Sequence, residues 1–138
     1  MTTRDTPDIT FLNPPGLANL GTFSQVAVAS GGRTIHISGQ LAWDEEGRLV
    51  GAGDLRAQTE RVFQNLGKAL AAAGAEFRDV IKFTIYVVDL EPDDRAAISE
   101  VRNRFIDPAR PPASTMIGVS ALVVPDARIE IEAIAVVR

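Results

Sequence analysis

The sequence predicts an α+β domain in which two helices pack on one face of a single β-sheet. Three observations carry that prediction. Residues 80–88 form a β-branched and aromatic run, with Ile81, Phe83, Ile85 and Val87 on one face and Lys82, Thr84 and Tyr86 on the other. Leu55, Thr59, Val62, Phe63, Leu66, Leu70 and Ala73 recur at helical spacing. Residues 129–137 alternate, so Ile129, Ile131, Ala133, Ala135 and Val137 share one face, while Glu130, Glu132, Ile134 and Val136 share the other.

The remaining elements follow in chain order. Residues 1–22 are rich in Thr, Asp and Pro, include the turn-like tract Asn13-Pro14-Pro15-Gly16, and are expected to form an irregular arm. Short strands are expected at 26–29 and 34–38, joined as a hairpin by Ser30-Gly31-Gly32-Arg33. Residues 41–43 and 49–50 flank a second turn signal, Asp44-Glu45-Glu46-Gly47. Asp54 is placed to cap the first helix, and Gly74 supplies its stop. A second helix is expected over 93–105, with Ala97, Ile98, Val101 and Phe105 on its stripe; Pro108, Pro111 and Pro112 end it. The predicted order is β-β-(β)-α-β-α-β-β. Two helices cannot cover both faces of the sheet, and Val80, Tyr86, Val88, Ile134 and Val136 give the other face apolar character. That face is expected to be buried against further copies of the chain.

Composition bounds the function. A chain of 138 residues fits one domain over 1–138, with 46% hydrophobic and 23% charged residues. The net charge of -4 and a pI near 4.9 argue against a nucleic-acid partner, because such partners call for a basic face. The two lysines, Lys68 and Lys82, lie on different predicted elements. With no cysteine there is neither a disulfide framework nor a thiolate nucleophile, and with one histidine a zinc site is not expected. The chain shows no signal-like N-terminus and no apolar run of membrane-spanning length, so a cytoplasmic protein with no membrane partner is the expectation.

Several motifs occur in a telling order: Phe23-Ser24-Gln25, Ser38-Gly39-Gln40, Gly53-Asp54, Gln58-Thr59, Asn65, Ala73-Gly74, Asp79-Val80, Lys82, Thr84, Asp89, Pro112-Ala113 and Ile129-Glu130-Ile131-Glu132-Ala133-Ile134-Ala135. In this order and spacing they resemble the Rid family, the reactive intermediate deaminases also called the YjgF family. The resemblance implies a chorismate-mutase-like fold, a homotrimer with clefts between subunits, and no cofactor. It also implies hydrolysis of short-lived enamines and imines to a carbonyl product and ammonia.

The same resemblance nominates site residues. Glu130 takes the position whose carboxylate positions the attacking water, and Ser38 keeps the family's serine. Three positions depart from the family pattern. Ser114 stands where active members have an arginine that grips the substrate carboxylate through two hydrogen bonds. Phe23 replaces a tyrosine, and Ser99 falls where an asparagine is expected. Phe23, Ser38, Ser114 and Met116 are the expected ligand-binding positions, with Arg110 as a substitute anchor. An altered substrate is therefore expected.

Each of these residues has a plainer reading. Glu130 on its strand is an exposed acid unless the resemblance holds. Ser114 is a polar residue at a strand start, and Arg110 an exposed loop arginine. His36 shares a strand face with Ser38, but side chains at i and i+2 stand roughly 6.5–7 Å apart, too far for a nucleophilic dyad. Glu132, Trp43 and the Gly31-Gly32 and Gly51-Ala52-Gly53 tracts read as structural. Three functions compete: an enamine/imine hydrolase, a non-catalytic metabolite-binding or regulatory trimer, and a ribonuclease, for which the acidic balance and single histidine are poorly suited.

Overall fold

The computed structural model describes residues 8–137. Among them are six strands, β1 (Asp8–Leu12), β2 (Val26–Ser30), β3 (Arg33–Gln40), β4 (Val80–Val88), β5 (Ala113–Val119) and β6 (Ile129–Val137), and two helices, α1 (Leu55–Ala72) and α2 (Asp94–Arg102). A short 3-10 turn, Phe77–Asp79, leads into β4. Four strands make a mixed sheet in the order β3-β6-β4-β5. The β3/β6 and β6/β4 pairs are antiparallel, and β4/β5 is parallel. A parallel pair needs a crossover connection, which α2 provides.

The helices lie where the apolar faces call for them. Asp54 caps α1 by accepting a hydrogen bond from the Ala57 amide at 3.0 Å, and Gly74 ends it at φ +74°, a conformation glycine adopts without penalty. The buried side of α1 sets Val62, Phe63, Leu66 and Leu70 against Phe83 and Ile85 of β4 and Ile129 and Ile131 of β6. Phe63 organises this layer, with the rings of Phe77, Phe83 and Phe105 at centroid distances of 6.0, 5.7 and 5.3 Å. Gln58, buried on the same helix, donates to the Asp126 carbonyl at 3.0 Å and accepts from the Arg128 amide at 2.8 Å, fixing the entry to β6.

Several expectations need correcting. The arm over 1–22 is not wholly irregular, because it contains β1. The predicted hairpin is absent: β2 pairs with β1, whereas β3 pairs with β6. Gly31 and Gly32, at φ +73° and +74°, turn the chain from one sheet into the other, so there are two sheets and not one. Val80 belongs to the core, since a register shift between Val80 and Lys82 rotates it inward. Residues 41–43 add only a bridge, Trp43 to Leu49, which closes the 44–47 turn. The second helix is shorter than predicted and ends at Arg102.

One contact outside the regular strands matters for the site. The Ser24 amide donates to the Pro112 carbonyl at 3.0 Å and its hydroxyl to the Pro111 carbonyl at 2.6 Å. Ser24 thereby bridges in parallel to Ala113 and holds Thr22 and Phe23 beside β5.

Candidate functional site

A cavity of about 560 Å³ opens between α2, β5 and the segment anchored by Ser24. Phe23, Ser99, Ser114 and Met116 all line it. The three positions where the chain departs from the family pattern are thus gathered in one place, although they lie in three different elements. Strand register explains two of them. Ser114 is paired with Phe83 and Met116 with Ile85, so both side chains lie on the helix side of the sheet. Ser99 faces them from α2.

Two residues of this cavity were not singled out in the sequence. Arg95 and Arg102 stand seven residues apart on α2, two turns along the same side as Ile98 and Ser99. Arg102 is only 5% exposed. A signal was available: Arg102 sits four residues after Ile98, on the apolar side of the helix, where an arginine is out of place.

Glu130 lies elsewhere. The Tyr86 hydroxyl donates to Glu132 Oε1 at 2.8 Å, and Lys82 Nζ donates to Thr115 Oγ1 at 2.6 Å. These bonds place Lys82, Tyr86, Thr115 and Glu132 on the face of the sheet away from the helices. Glu130, two residues before Glu132 and paired with Tyr86, shares that face. Ser38 and His36 also lie on it, beside Lys82, Thr84 and Glu132 in a smaller recess. Within one chain, Glu130 and Ser38 are therefore separated from Ser114 and Met116 by the thickness of the sheet.

The Glu130 carboxylate has a prepared seat. β3 and β6 slip register between Ile37 and Gln40, and Gly39 sits in that irregularity. A Cβ at Gly39 would collide with the Glu130 carboxylate, so the glycine of Ser38-Gly39-Gln40 is required by close approach. Partial burial, reinforced by the like charge of Glu132, pushes the Glu130 carboxyl above its ordinary value. Tyr86 is also pushed up, first by its hydrogen bond to Glu132, then by burial and the two carboxylates.

Arg110 lies outside the cavity lining. Its Nη2 donates to the Ile9 carbonyl at 3.0 Å, and its guanidinium stacks 4.8 Å from the Phe11 ring centroid, so it fastens β1 to the loop before β5. Among the described residues no helix is long and apolar enough to cross a membrane.

Comparison with known proteins finds relatives along most of the chain. The family model described as Endoribonuclease L-PSP matches residues 15–137. Protein DfrA of Myxococcus xanthus is 39% identical, covering 85% of this chain and 86% of its own. The 2-iminobutanoate/2-iminopropanoate deaminase of Rattus norvegicus is 34% identical, covering 86% and 82%. Among solved structures, the Rid-family protein YyfB from Yersinia pestis superposes with a TM-score of 0.88 at 41% identity, covering 94% of this chain and 98% of that one.

Proposed function

Since the chain belongs to the Rid (YjgF, L-PSP) family, we propose that it hydrolyses small reactive enamines or imines to a carbonyl product and ammonia. On this reading it acts in the cytoplasm as a homotrimer with clefts between copies. The observation that carries the reading is the division of the candidate residues between the two faces of one sheet. A ligand-sized cavity lies on one face, and a carboxylate seated over a glycine lies on the other. A second copy is the simplest way to bring a Glu130 to the cavity of its neighbour. The apolar side chains left partly exposed on the open face, Ile117 and Ile134, are suited to such packing.

The chemistry asks little of the protein. An iminium carbon is already electrophilic, so the site must orient it and deliver water. Glu130 accepts a proton as water attacks, giving a carbinolamine, and returns that proton to the nitrogen; it then takes the hydroxyl proton as the C–N bond breaks, so that ammonia departs and the carbonyl forms. A carboxyl whose pKa is raised by burial is a stronger base for the first step, and the shift toward the working pH suits a group that must both take and return a proton. Relatives named as 2-iminobutanoate/2-iminopropanoate deaminases support this reaction class. The substitutions at Phe23, Ser99 and Ser114 support an altered substrate.

Ammonia release from a panel of freshly generated imines tests the reading. Turnover that disappears in Glu130→Gln is the expected result. A flat response to every imine, beside an active family member as control, would sink it. The second reading, a non-catalytic metabolite-binding or regulatory trimer, draws on the same three substitutions. It predicts ligand-induced thermal stabilisation without turnover, unchanged by Glu130→Gln.

A further inference from the structure

Arg102 is an unusual residue to find inside this domain. It is 95% buried by its 5% exposure, yet it makes no ion pair among the described residues. Its Nε and Nη2 donate only to the neutral Asn103 Oδ1, at 3.4 and 3.2 Å. No side-chain nitrogen or oxygen among the described residues is sealed from solvent without a partner. The remaining nitrogen, Nη1, therefore keeps access to solvent, and Arg102 is among the residues that line the cavity. A guanidinium stays charged in proteins, and a buried charge without a counter-ion is costly. Burial, followed by the nearby like charge of Arg95, disfavours the charged form of Arg102.

The surroundings describe what would relieve that cost. Arg95 adds a second guanidinium at the exposed side of the cavity, tethered to Thr22 Oγ1 at 3.2 Å and free of ion pairs among the described residues. Ser99 and Ser114 offer hydroxyls. Glu91 is the only carboxylate in the lining, and it pairs with neither arginine. The rest of the wall is mostly apolar, including Phe23, Ile85, Ile98 and Met116. A volume of about 560 Å³ exceeds what a two- or three-carbon acid would fill.

We propose that Arg102, flanked by Arg95, is the carboxylate anchor of this cavity, and that its ligand is a small 2-oxo or 2-imino acid bearing a branched or aromatic apolar side chain. The guanidinium thus comes from α2, not from β5 where the family pattern places it. Ser114 has ceded the role to a side chain entering from the opposite wall. The inference rests on reading this cavity as the ligand site, but not on hydrolysis.

The test is calorimetric binding of 4-methyl-2-oxopentanoate, pyruvate and the neutral 4-methylpentan-2-one to the full-length wild type and to Arg102→Met and Arg102→Lys. The branched oxo acid should bind best and the neutral ketone poorly. Arg102→Met should weaken oxo-acid binding roughly 10- to 100-fold, as expected for a charged hydrogen-bonding group. Arg102→Lys should fall between, keeping the charge but losing the fork. The melting temperature of Arg102→Met should not drop, because the substitution removes an uncompensated charge, so lost binding will not be mistaken for unfolding. Equal binding by wild type and Arg102→Met, or loss with Arg110→Met instead, would overturn the proposal. Imine hydrolysis by wild type with Arg102-independent binding would remove the anchor and keep the proposed function. Arg102-dependent binding with no hydrolysis of any imine would do the reverse.

Discussion

The two faces of the four-stranded sheet are built on different physics. Its helix side is close-packed around Phe63, and the cavity beside α2 carries two arginines with Glu91 as the one carboxylate in its lining. The open side carries a small polar network of Tyr86, Glu130, Glu132, Lys82 and Thr115 on a sheet whose strands also bear Ile117 and Ile134. Arginines outnumber the single carboxylate, Glu91, at the cavity, and the carboxylates Glu130 and Glu132 outnumber Lys82 on the far face. Neither face alone holds both a substrate anchor and a proton-handling group. On the proposed reading, the smallest complete site needs a second copy of the chain, because the cavity and Glu130 lie on opposite faces of the sheet.

The comparison can be broken most directly at Glu130. Glu130→Gln should lower kcat about 10²- to 10⁴-fold, the usual contribution of a general acid–base group, while oxo-acid binding stays within a few-fold. An equal loss in binding and turnover would mean that Glu130 holds ligand and does not move a proton. On the helix side the large effect should be on stability. Phe63→Ala should cost about 3–5 kcal/mol by denaturant unfolding, since it empties the centre of the aromatic layer. Unchanged stability there would contradict the placement of the core.

A smaller effect sharpens the role of the close approach. Gly39→Ala should displace the Glu130 carboxylate and cost about 1–3 kcal/mol of stability, the ordinary penalty of overpacking. Activity should fall with it, measured as ammonia release at matched folded fraction. The pH dependence should be smaller again. Glu130 is raised above its ordinary value, so the folded protein holds that proton more tightly than the unfolded chain does. Its ionisation therefore removes stability as pH rises through the folded value. Glu130→Gln should accordingly be at least as stable as wild type at neutral pH, and the advantage should vanish at acid pH. The acid limb of the activity profile should lie above the usual glutamate range. The least effect is expected from Tyr86→Phe, which removes one hydrogen bond to Glu132 and should leave the denaturant midpoint close to that of the wild type.

Much of the architecture was legible in local pattern. β4 and β6 read correctly over their alternating centres, though Val80 and Val136 near their ends are buried where the open face was expected, and α1 because its stripe is bounded by Asp54 and Gly74. The pairing of β1 with β2 was not legible. Asp8–Leu12 lies in a Thr-, Asp- and Pro-rich segment, and the two glycines after Ser30 read equally well as a hairpin turn or as a corner between sheets. Arg102 was missed for a related reason. Its spacing from Ile98 marks it as inward-facing, but nothing local says whether a partner carboxylate waits inside.

By itself, the sequence determined the two helices, the strands after the N-terminal arm, the core face of the alternating centres of β4 and β6, and the family to which the chain belongs, because these depend on periodicity and on motifs read along the chain. Tertiary structure alone decided that Ser114 and Glu130 lie on opposite faces, that Gly39 makes room for a carboxylate, and that Arg110 is tied to β1 while Arg102 lines the cavity. Those facts depend on register and on contacts between residues distant in the chain, such as Ser24 with Pro111 and Pro112. Register is set by how whole faces pack, so no local stretch contains it.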